Sequence, residues 1–217
     1  MKARKILVSL AALALVAALS VAGTLAYLTD SKTVKNTFTV GNIQMTLDET
    51  DITNPTGKRV ASNQYKIYPG QTYTKDPTVT ILAGSEDCYV RMLVEVESYS
   101  SLLKALPEDK EAYKDFYNGD VFLLEKLCSG WDPTVWKFEK VTTDTTKDTA
   151  TYEFRYYEVV ENSDKNQVLD ALFDTITVPG TVDNGALANL GNVKINVIGN
   201  AMQKEGFTTA DLAWDKF

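Results

Sequence analysis

The chain has 217 residues, with 29 Asp or Glu against 22 Lys or Arg, two cysteines and no histidine. An acidic balance speaks against nucleic acid as a partner, because phosphate binding needs basic stripes that release counterions. The missing histidine removes HExxH zinc sites and any Ser-His or Cys-His catalytic pair.

Lys2, Arg4 and Lys5 form a basic start, and Ile6 to Ala22 follows without a charge. Thr24 and Ala26 then place small residues at the −3 and −1 positions of a cleavage site, ahead of Tyr27. These three parts predict a secretory signal peptide over residues 1–26. An uncleaved anchor is the competing reading, since the apolar run reaches the lower limit of a spanning helix. The small-residue exit favours cleavage. No second apolar run of that length follows, so no stable membrane span is expected after cleavage. Residues 27–217 are expected to form one domain, a size that buries a sizeable core. The leader takes three basic residues and no acid, so this body is more acidic still, which keeps it soluble.

From Asn36 the pattern turns to period two. Phe38 and Val40 alternate with threonines, Gly41-Asn42 shifts the parity, and Ile43, Met45 and Leu47 resume it. That predicts a half-buried strand with a bulge at the glycine. Asp48 to Ser62 is polar and predicts a loop, and Pro69-Gly70 predicts a turn before a strand carrying Val79 and Ile81. Cys88, Val90, Met92, Val94 and Val96 alternate with Arg91, Glu95 and Glu97, which predicts a strand with one face on a core. Residues 100–128 change period: Leu102, Leu103 and Leu106 begin a short helix, Pro107 opens another, and Asp120 caps a third. About 30 residues are too few for a core of their own, so this is a helical insertion.

Strands then return. Trp136 and Phe138 lead to a polar turn over Thr142–Asp148 and a return strand with Tyr152, Phe154 and Tyr156. Leu169 to Val178 is apolar, and Asp183 caps a short helix with Leu187 and Leu190. Val193, Ile195, Val197, Gly199 and Ala201 form a last inward face, and Thr209 caps a terminal helix carrying Leu212 and Trp214. Seven or eight strands with little helix predict a mainly β fold, an antiparallel jelly roll or β-sandwich.

The junction Gly23-Thr24-Leu25-Ala26-Tyr27-Leu28-Thr29-Asp30, followed by Asn36-Thr37-Phe38-Thr39-Val40-Gly41, resembles the TasA/camelysin (CalY) family. Lys75-Asp76-Pro77-Thr78-Val79, Gly84-Ser85-Glu86-Asp87-Cys88-Tyr89-Val90 and Ala201-Met202-Gln203-Lys204-Glu205-Gly206-Phe207 look like further stretches of that wider group. The resemblance implies export with cleavage by a signal peptidase of the SipW type, a jelly-roll body, and fibres of the biofilm matrix in which an N-terminal strand of one subunit completes the sheet of the next. Asn36, Phe38 and Val40 would be the donor strand here. The alternative is that they form the protein's own first strand. Camelysin has been described as a metallopeptidase, and the absence of histidine puts that part of the resemblance in doubt.

Other features have plainer accounts. Ser101-Leu102-Leu103-Lys104 matches S-x-x-K without its companion motifs, and a helix cap explains it better. Cys88 and Cys128 in an exported chain are either a disulfide or two buried free thiols. Asp48-Glu49-Thr50-Asp51 and Glu86-Asp87 lack EF-hand spacing and read as solvated loop charges. The aromatics Trp131, Trp136, Tyr152, Phe154, Tyr156 and Tyr157 suit core packing more than a glycan platform. No catalytic residue, metal ligand or cofactor is expected. The sequence thus points to a non-enzymatic, secreted structural protein of the cell surface or matrix, a homo-oligomer or fibre. A monomeric surface module binding a glycan or protein is the alternative.

Overall fold

In chain order the strands are β1 (Met45–Thr50), β2 (Arg59–Val60), β3 (Thr72–Thr74), β4 (Thr78–Ile81), β5 (Cys88–Glu97), β6 (Cys128–Ser129), β7 (Trp136–Asp144), β8 (Thr149–Tyr156), β9 (Gln167–Val168), β10 (Thr175–Thr177) and β11 (Lys194–Gln203). Among the described residues they are accompanied by the helices α1 (Tyr99–Ala105) and α2 (Ala210–Trp214). These elements come from a computed structural model that describes residues 42–54, 56–105, 127–180, 182, 185, 188 and 193–217. The signal segment, Asn36 to Gly41, most of the helical insertion and most of the helix after Asp183, Leu187 and Leu190 included, lie outside the described residues.

Every pairing among the described residues is antiparallel. One sheet has the order β11-β5-β8-β7; the others run β2-β1-β4-β9 and β3-β10-β6. The two smaller sheets are parts of one layer. β3 runs into β4 and β9 into β10, and the joint is bridged by Lys75 N–H to the Asp174 carbonyl (2.9 Å) and Leu172 N–H to the Pro77 carbonyl (3.1 Å). The fold is a β-sandwich of mainly antiparallel strands, as the alternation predicts.

β5 supplies the core row. Cys88, Val90, Met92, Val94 and Val96 are all 0–1% exposed. Register sets Met92 beside Phe154, Val94 beside Tyr152 and Val96 beside Ala150, so aromatic rings of β8 fill out the same face. Val79 and Ile81 of β4 belong to the same core from the other layer. Each such side chain contributes about 1.5–3 kcal/mol on burial. Gly199 of β11 faces that layer: a Cβ there would stand 2.6 Å from Met45 Cε and 3.4 Å from Val79 Cγ2.

The outer face of the β5 sheet is closed by charge. Glu153 is buried, with Arg155 Nε at 2.8 Å, Arg91 Nη1 at 3.7 Å and Lys140 Nζ at 3.6 Å. The Arg91 guanidinium lies 4.5 Å from the Trp214 ring and 4.6 Å from that of Phe217, so α2 packs on it by cation–π contact. Thr209 caps α2 as predicted, accepting from Leu212 N–H. Trp214 is buried, while Leu212 is exposed.

Several expectations need correction. Asp48 to Ser62 is not all loop. β1 runs on to Thr50 and pairs with β2, because Arg59 reaches back to Asp48 and, at 2.9 Å, to Asp76. The turn after β7 is shorter than predicted, since Thr142 and Thr143 pair with Thr151 and Ala150. Asp148 closes it with φ 53° and accepts from Ser100 N–H (2.8 Å) at the start of α1. Ser101 is therefore inside α1 and caps nothing. The Leu169–Val178 run is broken: β9 ends before it, Leu172 and Phe173 are buried, and β10 resumes at Thr175.

Candidate functional site

A cavity of about 740 Å³ opens between the two layers. Leu47 of β1, Val94 and Val96 of β5, Ile176 of β10, and Ile195 and Val197 of β11 give it apolar walls. This volume falls within the range of sites that hold drug-sized ligands. The cavity lies where β1, on one layer, passes over β11, the last strand of the other.

One polar patch of the wall holds a buried ion pair. Glu49 of β1 and Lys75, between β3 and β4, form an ion pair at 2.7 Å with side chains only 6% and 10% exposed. Asn63 donates to Glu49 Oε1 (3.0 Å) and to the Thr50 carbonyl (2.8 Å), and its oxygen accepts from Ile52 N–H (3.1 Å). The Lys75 ammonium stands 5.9 Å from the Tyr65 ring, whose hydroxyl donates to the Thr74 carbonyl (2.9 Å). Burial, then the Glu49 charge, push the Tyr65 hydroxyl well above its ordinary pKa. Cys128 also lines the cavity, and burial pushes its thiol up to about 12, against the opposing charge of Lys75.

β11, whose residues 194–197 line the cavity, has an open side among the described residues. Among the described residues β11 pairs with β5 alone, so one side of its ten residues has no backbone partner. The other edge of that sheet, β7, is blunted in the ways that natural edges discourage pairing. It has a bulge between Phe138 and Lys140, and carries Lys137, Glu139 and Lys140. β11 has one charge, Lys194, and a row of Ile, Val, Gly and Asn.

The sequence-predicted residues fall unevenly. Thr24, Ala26, Tyr27, Asn36, Phe38 and Val40 lie outside the described residues. Cys88 and Cys128 are both buried and both free, so no disulfide joins them. They sit on different layers, Cys88 beside Gln203 and Cys128 beside Ile176. The acidic runs are structural: Asp48 pairs with Arg59, Glu49 with Lys75, and Asp87 accepts from Asn162 N–H (2.7 Å). Trp136, Tyr152 and Phe154 are core, although Tyr157 is exposed. The polar patch had no sequence signal of its own, because Glu49, Asn63 and Lys75 are brought together only by the pairing of β1 with β2 and β4.

Residues 2–79 match the family model described as "Camelysin metallo-endopeptidase". No curated protein and no solved structure matches the chain. The family description implies a metal, and the described residues do not fit one. No three of their Cys, Asp or Glu side chains converge on a common point. The acids that do cluster are neutralised by Arg59, Lys75, Arg91 and Arg155, and burial pushes both thiols up to about 12, far from the thiolate that a metal needs. No helix of the described residues is long and apolar enough to cross a membrane. The resemblance read from the junction is borne out over residues 2–79, the stretch that matches this family model.

Proposed function

We propose that this is a secreted structural protein of the bacterial cell surface or biofilm matrix, assembling by strand donation and not acting as a peptidase. Export uses a SipW-type signal peptidase that cuts after Thr24-Leu25-Ala26 and leaves Tyr27 first. The strand carrying Asn36, Phe38 and Val40 then enters the cavity of a second copy and lies along β11. The observation that carries the reading is a ten-residue edge, unpaired among the described residues, beside a largely apolar cavity of about 740 Å³. An unpaired edge supplies backbone hydrogen bonds, and the cavity beside it takes alternate side chains, which is how an extended segment binds by β-augmentation. The blunted β7 edge supports one acceptor per subunit.

Electron microscopy and sedimentation of the secreted protein, with and without residues 27–40, test this. Fibres or large oligomers are expected with the segment, and monomers without it. Assemblies that persist unchanged without the segment would sink strand donation. A monomer under all conditions would sink assembly itself and favour a binding module.

A further inference from the structure

Of the charged groups that line the cavity, Glu49 and Lys75 are the buried ones, and that pair is incompletely satisfied. An ammonium carries three N–H donors. Among the described residues Lys75 Nζ uses one of them, on Glu49 Oε2 at 2.7 Å. The Asn63 amide donates to Glu49 and Thr50 and accepts from Ile52 N–H, and makes no hydrogen bond to Lys75. A nearly dry ion pair is favourable only when further hydrogen bonds satisfy its remaining donors and lone pairs. Whatever lies against the apolar walls beside this pair must therefore also bring it a hydrogen-bonding group.

The segment Asn36-Thr37-Phe38-Thr39-Val40 has that pattern. In an extended strand residues 36, 38 and 40 share a face, about 6.6 Å apart from one to the next. We infer that the Glu49–Lys75 pair reads the register of the donated strand: the Asn36 amide meets the ion pair while Phe38 and Val40 fill the apolar cavity. The inference rests on the strand-donation reading and names the residue that fixes its alignment. An amide offers an acceptor to Lys75 and donors to Glu49 at once, so it completes the pair without adding charge. A carboxylate would stand beside Glu49, and an ammonium beside Lys75, each at a Coulomb cost in a dry site. A slip of one residue turns Phe38 and Val40 to the other face. A slip of two puts Phe38 against the ion pair and leaves its donors unmet.

The test is assembly of the secreted, full mature protein, read as the concentration at which it sediments as polymer. Asn36→Leu should raise that concentration by about tenfold or more, because a buried donor left unpaired keeps its full desolvation penalty. Combining it with Glu49→Met and Lys75→Met should return assembly toward wild type. Asn36→Asp leaves the cavity untouched; it should assemble poorly at pH 7 and recover relative to wild type near pH 4, where the protonated acid again both donates and accepts. Asn36→Leu and Asn36→Asp both assembling like wild type would overturn the register role, as would a triple variant that folds yet assembles no better than Asn36→Leu. If Phe38→Ala with Val40→Ala abolishes assembly in that case, strand donation stands without the lock. If that pair too has no effect, strand donation itself fails. A chain that stays monomeric while Asn36→Leu lowers its melting temperature would place the segment in its own cavity and overturn the intermolecular lock.

Discussion

Gly199 and Met45 meet across the two layers so closely that a Cβ on Gly199 would stand 2.6 Å from Met45 Cε. Met45 Cε is the far end of a flexible side chain, so one methyl group can be accommodated. Gly199→Ala should cost at most about 1 kcal/mol, whereas Gly199→Val also meets Val79 and should cost about 1–3 kcal/mol through overpacking. At about 2–4 °C per kcal/mol for a body of this size, thermal melts separate the two. Equal melting temperatures would mean the layers part more easily than this contact implies.

Glu153 is the anion on which three cations of the outer face converge. Removing it leaves Arg91 partly buried with no acid beside it among the described residues, and leaves Arg155 only the exposed Asp211. Glu153→Ala should therefore destabilise by about 3–5 kcal/mol. Lys140 has a side chain 63% exposed, and Lys140→Ala should shift stability by no more than about 0.5 kcal/mol. Urea titrations of the two variants check the contrast. Similar losses would show that Lys140, not the inner arginines, is the partner of consequence.

Asp76 gives the fold an acid limit. Burial alone would raise its carboxyl pKa, but the Thr50 amide and hydroxyl, each at 2.7 Å, and Arg59 outweigh burial and hold it below its ordinary 3.8. A depressed carboxylate contributes stability above its unfolded pKa and loses it as pH falls through the folded one. Melting temperature should thus hold between pH 7 and about 5 as far as this group is concerned, and fall below about 4. Asp76→Asn should start lower at pH 7 and fall less on acidification. A variant with the wild-type acid slope would remove Asp76 as the cause.

Burial holds the Cys88 and Cys128 thiols protonated up to about pH 12. The thiolate is the nucleophile, so neither should react with a disulfide reagent at pH 8 until the protein unfolds. Labelling should follow the urea unfolding curve. Fast labelling of the folded protein would contradict this burial.

Much of the fold is legible in the sequence because side-chain alternation is a local signal. Cys88 to Val96 alternates without interruption and is the central core strand, and Thr209 caps α2 where its hydroxyl predicts. The failures occur where distant residues decide. The polar run after Leu47 becomes β1 and β2 because Arg59 is held by Asp48 and Asp76, a contact across 11 and 17 residues that no local pattern encodes. Ser101 looks like a cap by spacing, yet the role belongs to Asp148, which is 48 residues away from Ser100. The candidate site is the extreme case. Its walls alternate like any core strand, and its ion pair joins Glu49 and Lys75 only once β1 has found β4.

The unlike edges of the β5 sheet give the subunit a direction. A polymer joined through β11 alone would have two different ends, one offering the bare strand and the other a free N-terminal segment. Such head-to-tail contacts need not close into a ring, so length would be open-ended. Growth and shrinkage could proceed at different rates at the two ends. A molecule that covered β11 on a single terminal subunit would arrest one end of the whole fibre.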